Sequence, residues 1–294
     1  MRGNAVSTDA VRKAAVLGKP VSHSLSPVLH GAAYAALGLG GWTYDRVEVD
    51  EEGLPGFVKS LGQEWAGLSV TMPGKRAALR VAEEATPRAV AVGAANTLVH
   101  RGSGEWAADC TDVDGITGAL TSAGWVGSPS FTGVVLGAGG TASAAVAAFA
   151  ELGAGRVRLV VREPERAREA VAAAERTGIA AEVLRWSDVD FRELAKDAAV
   201  LVTTVPPAAI APHAAELAVL PCLLDVIYDP WPTPLAEAVA ARGGRLATGL
   251  DMLLHQAFGQ VEQFTGEPAP KVAMRDALRE ATGNAVPLPL PTDA

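Results

Sequence analysis

Short apolar runs alternate with longer, alanine-rich amphipathic runs along most of the chain. This alternation predicts an α/β protein with parallel strands. In the first third, strands are predicted at 14–18, 43–49, 67–72 and 96–100, with a helix over 27–37. Pro27 suits the first helical position, with Ser26 before it as a cap. A fifth strand at 106–110 leads into a helix over 115–123, and the Gly/Ser/Pro-punctuated stretch 124–131 reads as a connector. A second series follows: strand 134–136, helix 141–152, strand 157–161 and helix 164–176, then strands at 199–204 and 223–228. A long helix is predicted over 249–264, and the tail 286–294 (VPLPLPTDA) reads as disordered.

The chain has 294 residues, more than one average domain and about right for two. Hydrophobic residues make up 49% and aromatics only 5%, so the cores must be filled by Ala, Val and Leu. The net charge of −8 with no dense basic run argues against nucleic acid as the main partner, since neutralising phosphates needs clustered Lys and Arg. Cys110 and Cys222 stand far apart and the five histidines show no ligand spacing, so neither a disulfide framework nor a metal site is expected. Residues 1–9 lack the apolar core of a signal peptide, and every apolar stretch is broken by Gly or Pro, so no membrane partner is expected. The expectation is a cytoplasmic protein, monomer or homodimer.

The loop Gly137-Ala138-Gly139-Gly140-Thr141-Ala142 follows an apolar strand and opens a helix, which fits the dinucleotide fingerprint. Gly137 permits the tight turn, Gly139 lets the backbone approach a pyrophosphate, and Ala142 keeps the helix close to the strand. Arg162 at the end of the next strand, with Arg166 beyond it, suits a 2′-phosphate and points to NADP, although Glu163 stands between them.

Four polar clusters lie where a plain core would be apolar: Ser22–Pro27, Ser69–Lys75, Gly93–Thr97 and Asp109–Asp112. Ligands bind beyond strand ends in open sheets. Hydroxyls, an amide, a Lys and an Asp at such ends suggest a small polyhydroxylated substrate.

These clusters, the glycine loop, and the later segments Tyr228–Leu235 and Gly249–Gln256 together resemble the shikimate dehydrogenase family, from about residue 14 to 266. The resemblance implies two α/β domains with a cleft between them: a substrate domain of residues 1–112 with 249–285, and a Rossmann-like NADP-binding domain of residues 113–248. It implies NADP-dependent reduction of 3-dehydroshikimate to shikimate, with Lys75 and Asp112 as the acid/base pair. Ser24, Ser26, Thr71, Asn96, Tyr228 and Gln256 match substrate-binding positions. Gly137 to Ala142, Arg162, Arg166, Thr204, Gly249 and Met252 match cofactor-binding ones. The chain departs from the family pattern at Ser69 and Cys110, commonly Asn, and at Val161 and Glu163. Alternatives left open are a quinate/shikimate or aminoshikimate-type dehydrogenase using NAD, and a non-catalytic NADP- or metabolite-sensing homologue.

Overall fold

A computed structural model describes residues 11–290. It divides into two compact units, one formed by the chain up to Thr111 together with Gln256–Leu288, the other chiefly by Asp112–His255.

In the first unit the elements run β1 (Arg12–Gly18), α1 (Ser26–Ala36), β2 (Trp42–Glu48), α2 (Leu54–Lys59), β3 (Trp65–Val70), α3 (Lys75–Val81), β4 (Glu84–Ala85), α4 (Pro87–Val92), β5 (Thr97–His100) and β6 (Trp106–Asp109). The sheet order is β2-β1-β3-β5-β6-β4. β1 pairs in parallel with β2 and β3, but β5 is antiparallel to both β3 and β6, so the expected all-parallel arrangement does not hold here. The cause is loop length. Only residues 101–105 join β5 to β6, too few for a crossover, and the turn uses positive φ at Gly102, Ser103 and Gly104. The core of this sheet gathers Ala15, Leu17, Leu68, Leu98 and Trp106 with Leu54, Val58, Ala77 and Ala78 from the helices.

The second unit runs α5 (Asp112–Ser122), β7 (Thr132–Leu136), α6 (Gly140–Glu151), β8 (Arg156–Val161), α7 (Arg168–Thr177), β9 (Ala180–Arg185), α8 (Phe191–Lys196), β10 (Val200–Thr203), α9 (Pro207–Ile210), α10 (Ala214–Leu217), β11 (Cys222–Asp225), α11 (Pro234–Ala240) and β12 (Arg245–Thr248). Its six strands, in the order β12-β11-β10-β7-β8-β9, are all parallel. The expected helix over 164–176 is instead a 3₁₀ turn, Pro164–Ala167, followed by α7, with Arg166 N–H bonded to Glu163 O at 3.0 Å. The strand expected to reach 228 ends at Asp225.

Two further helices complete the chain, α12 (Gly249–Thr265) and α13 (Lys271–Ala281), and the unit boundary falls within α12. Helix α13 and the edge strands β4, β9 and β12 are additions to the elements expected from the sequence. Within the tail read as disordered, Val286 and Leu288 are buried, because these alternate apolar side chains pack inward while Pro287 between them only excludes a helix. Residues 291–294 lie outside the described part. No helix among the described residues is long and apolar enough to cross a membrane.

Candidate active site

In the first unit the polar clusters meet at one edge of the sheet, and the mixed strand directions explain how. Ser24, Ser26, Thr71 and Lys75 follow the carboxyl ends of β1 and β3. Because β5 runs the other way, Asn96 reaches the same edge by preceding its strand, and Asp109 returns to it at the end of β6. The register pairs Ser69 with Thr97 and Thr97 with Asp109.

The backbone ties these loops together. Ala95 N–H bonds Lys75 O at 2.9 Å, Asn96 N–H bonds Asp109 O at 3.1 Å, and Thr71 N–H bonds Leu17 O at 2.8 Å. Lys75 is the first residue of α3, so its side chain leaves from a fixed point. Ser26 is itself the first residue of α1 rather than its cap. Its N–H donates to Ser24 Oγ at 3.3 Å, and the two serine hydroxyls are 3.2 Å apart.

One face of α12 closes over the sheet. Gln256, Gln260 and Gln263 fall at i, i+4 and i+7, so they share that face. The Phe264 ring occupies the space where a Cβ on Gly67 would stand, 2.1 Å away, so glycine lets the helix settle onto β3. Asn96, 3% exposed, holds Thr111 N–H on its Oδ1 at 2.7 Å and donates from Nδ2 to Thr111 Oγ1 at 3.0 Å and Gln256 Oε1 at 3.2 Å. Asp109 accepts from Thr86 Oγ1, Arg88, Gln263 Nε2 and Cys110 N–H. Burial pushes its carboxyl upward, but those donors and the Arg88 charge prevail and hold it below the ordinary value.

Beneath this edge His30 is fully buried, stacked on Tyr44 with centroids 3.9 Å apart and bonded through Nε2 to Gln260 Oε1 at 3.4 Å. Burial pushes its pKa down to about 3 against the opposing Gln260 bond, so the imidazole is neutral. Tyr44 and Gln260 were not among the candidate site residues, and Ser69 was singled out only as a member of the Ser69–Lys75 cluster and a departure from the family's Asn. For Gln260 the available signal was its place a single helical turn beyond Gln256.

In the second unit the candidate residues also gather at one sheet edge, the carboxyl ends of the parallel strands. The glycine loop leaves β7, Arg162 follows β8, Thr204 follows β10, Tyr228 follows β11 and Gly249 follows β12. Strand order reverses between β7 and β10, the place where dinucleotides bind in such sheets. There Thr204 binds Leu136 O through both its N–H and its hydroxyl, each at 2.9 Å. Gly139 has open space where a Cβ would be, and Ala142 is fully buried, as close approach and tight helix packing require. At the start of α6 the N–H groups of Gly140 and Thr141 precede the first i→i−4 bond and suit a pyrophosphate, while Ala142 N–H already donates to Gly139 O at 2.9 Å. Arg162 and Arg166 are both exposed beside the loop after β8, available to a further phosphate. The chain thus offers a cradle for NADP.

Gly249 is glycine for a packing reason, since a Cβ there would lie 2.1 Å from Val226 O. Met252 is buried, and Tyr228 is 37% exposed. Asp225 pins both ends of the Tyr228 loop, accepting from Ile227 N–H at 3.1 Å and Thr233 Oγ1 at 2.7 Å, and burial raises its pKa. Asp112 opens α5 and is buried.

A doubly wound parallel sheet with a glycine loop at its switch point, carried with a second α/β unit rich in polar strand ends, defines an NADP-dependent oxidoreductase acting on a small polar substrate. The chain belongs to the shikimate dehydrogenase family. Residues 16–98 match the shikimate dehydrogenase substrate binding domain, residues 249–279 the shikimate 5′-dehydrogenase C-terminal domain, and residues 133–223 the family described as NADP oxidoreductase, coenzyme F420-dependent. A shikimate dehydrogenase (NADP(+)) of Methylobacterium radiotolerans is 37% identical over 278 residues, 92% of this chain and 97% of its own. The crystal structure of Mycobacterium tuberculosis shikimate dehydrogenase superposes with a TM-score of 0.85 at 51% identity, covering 92% of this chain and 99% of that one. That of the Thermus thermophilus shikimate 5-dehydrogenase in complex with NADP(H) and shikimate gives 0.75 at 31% identity, over 92% and 99%.

Proposed function

We propose that the protein interconverts 3-dehydroshikimate and shikimate with NADP(H), using Lys75 and Asp112 for the proton. The observation that carries this reading is the match, along 92% of the chain, to an enzyme named for that activity, in a chain that keeps Lys75, Asn96, Asp112 and Gln256.

NADPH supplies the hydride. The chain's own residues do the rest. Charge develops on the ketone oxygen as its carbon is reduced, and the Lys75 ammonium stabilises that charge and donates the proton. Asp112 orients Lys75 and accepts a hydrogen bond from a neighbouring ring hydroxyl. In the oxidative direction the hydroxyl proton returns to the pair. Asn96 and Gln256 read the ring hydroxyls, Ser24 and Ser26 take the carboxylate with Tyr228, and Thr71 lines the same loop as Lys75. Arg162 and Arg166 hold the 2′-phosphate of NADP, while Gly137 to Ala142 carry the pyrophosphate beside Thr204, Gly249 and Met252.

The test is product identification. Shikimate incubated with the protein and NADP should lose two hydrogens by mass in step with cofactor reduction. Recovery of unchanged shikimate beside folded, NADP-bound protein would overturn the proposal.

A further inference from the structure

A directed chain of hydrogen bonds runs beneath the substrate edge of the first unit, and its two ends are fixed by backbone groups that cannot reverse. Asn96 O can only accept, so the Gln260 nitrogen must be the atom 3.1 Å from it. The same nitrogen donates to Thr97 Oγ1 at 3.1 Å, which places Gln260 Oε1 towards Ser69 and His30. Ser69 must then donate its single proton to Gln260, at 2.7 Å, and Tyr44 must donate to Ser69, at 2.6 Å. His30 is neutral, and its one N–H is on Nε2, facing Gln260. Every hydrogen-bonding position of the Gln260 amide is therefore engaged, and the residue is 1% exposed.

At the other end Thr111 N–H can only donate, so the atom of Asn96 that meets it is Oδ1. Thr97 Oγ1 reinforces that choice by donating to Asn96 Oδ1 at 2.9 Å. Asn96 Nδ2 consequently faces Gln256 Oε1, and Gln256 turns its NH₂ group away from Asn96. A buried amide network with one self-consistent polarity specifies a single arrangement of its members.

We infer that Gln260, with Ser69 and Tyr44 behind it, is a positioning residue that, by donating to Thr97 and so directing the Thr97 proton onto Asn96 Oδ1, reinforces the amide polarity that Thr111 N–H sets on Asn96 and helps present the Gln256 NH₂ group to the hydroxyls of the substrate ring. This rests on the proposed shikimate reading for the identity of the substrate, not for the chain of bonds itself. Gln260 does not touch substrate; it acts through Asn96 and Gln256.

Gln260→Met keeps the side-chain length and removes both donors and the acceptor. The expected result is a rise of about tenfold in KM for shikimate, with kcat and the KM for NADP changed by no more than about twofold. In a Gln256→Ala background the same substitution should raise KM by no more than about threefold, because the residue through which it acts is gone. An equal factor in both backgrounds would overturn the inference and leave Gln260 a structural residue. The substrate-free readout is the side-chain NH₂ resonances of Asn96 and Gln256 in ¹⁵N-labelled protein, which should move in Gln260→Met and whose constancy would equally overturn it. Failure of the wild-type chain to oxidise shikimate would contradict the substrate reading alone, and the resonances would still decide the positioning role. If Gln260→Met does not fold, Ser69→Ala carries the same tests, with an expected rise of about threefold.

Discussion

Thr204 stands against Gly137 at the point where the strand order of the parallel sheet reverses. A Cβ on Gly137 would lie 2.1 Å from Thr204 Oγ1, and Gly137 holds φ at +115°. Thr204 could yield only by giving up its 2.9 Å bond to Leu136 O.

Gly137→Ala should therefore strain the loop and lose stability by about 1–3 kcal/mol. The KM for NADP should rise at least about tenfold while the KM for shikimate moves little. Melting temperature and steady-state kinetics check both parts, and an unchanged NADP KM would show that the loop does not carry the pyrophosphate.

Arg162 and Arg166 are the groups assigned to the 2′-phosphate. Arg162→Ala should raise the KM for NADP about tenfold and leave the KM for NAD within about twofold, because NAD lacks that phosphate. Parallel losses with both cofactors would remove the assignment. Glu163→Ala should act in the opposite direction by relieving like-charge repulsion.

Asp109 anchors the end of β6 through Arg88, with the carboxylate 5% exposed and the guanidinium 26%. Asp109→Asn leaves Arg88 facing a neutral amide, and a loss of about 3 kcal/mol is expected in urea denaturation. The folded carboxyl titrates below its unfolded value, so its stabilisation is present above the unfolded value and is lost as pH falls through the folded one. Asp109→Asn should abolish that part of the acid limb.

His30 acts in a higher pH window. Its folded pKa is about 3 against 6.5 when exposed. Below 6.5 the unfolded chain takes up a proton that the folded chain refuses, so stability falls as pH drops from 6.5 towards 3. One proton corresponds to about 1.4 kcal/mol per pH unit. His30→Phe should lower stability at about pH 7.5 yet flatten the slope between about pH 6 and 4, measured by urea midpoints. An unchanged slope would mean that His30 does not titrate there.

Much of this architecture was legible in the chain. The strand–glycine–helix pattern at 134–152 rests on local rules, namely a buried apolar run, a turn only glycine makes easily and an alanine-rich helix, and it is found at β7 and α6. The antiparallel β5 was not legible, since its direction follows from the short loop at 101–105 and from pairing with β3 far away in sequence. β9 was hidden because this edge strand faces solvent, with Ala180 to Glu182 exposed, and β12 because it has only four residues, of which Ala247 and Thr248 alone are buried. At the site, Ser24, Asn96 and Gln256 could be named from motifs. Tyr44 and Gln260 could not, because each reads as an ordinary strand or helix residue until 191 positions of separation close between Ser69 and Gln260.

Substrate and cofactor choice are read together from the initial rate of nicotinamide reduction by the purified chain with shikimate or quinate, each with NADP and with NAD. An NADP-dependent shikimate dehydrogenase should turn over shikimate with NADP rapidly, with kcat/KM at least about tenfold lower for the other three combinations. Preferred oxidation of quinate with NAD, or binding of NADP without turnover of either acid, would contradict that assignment.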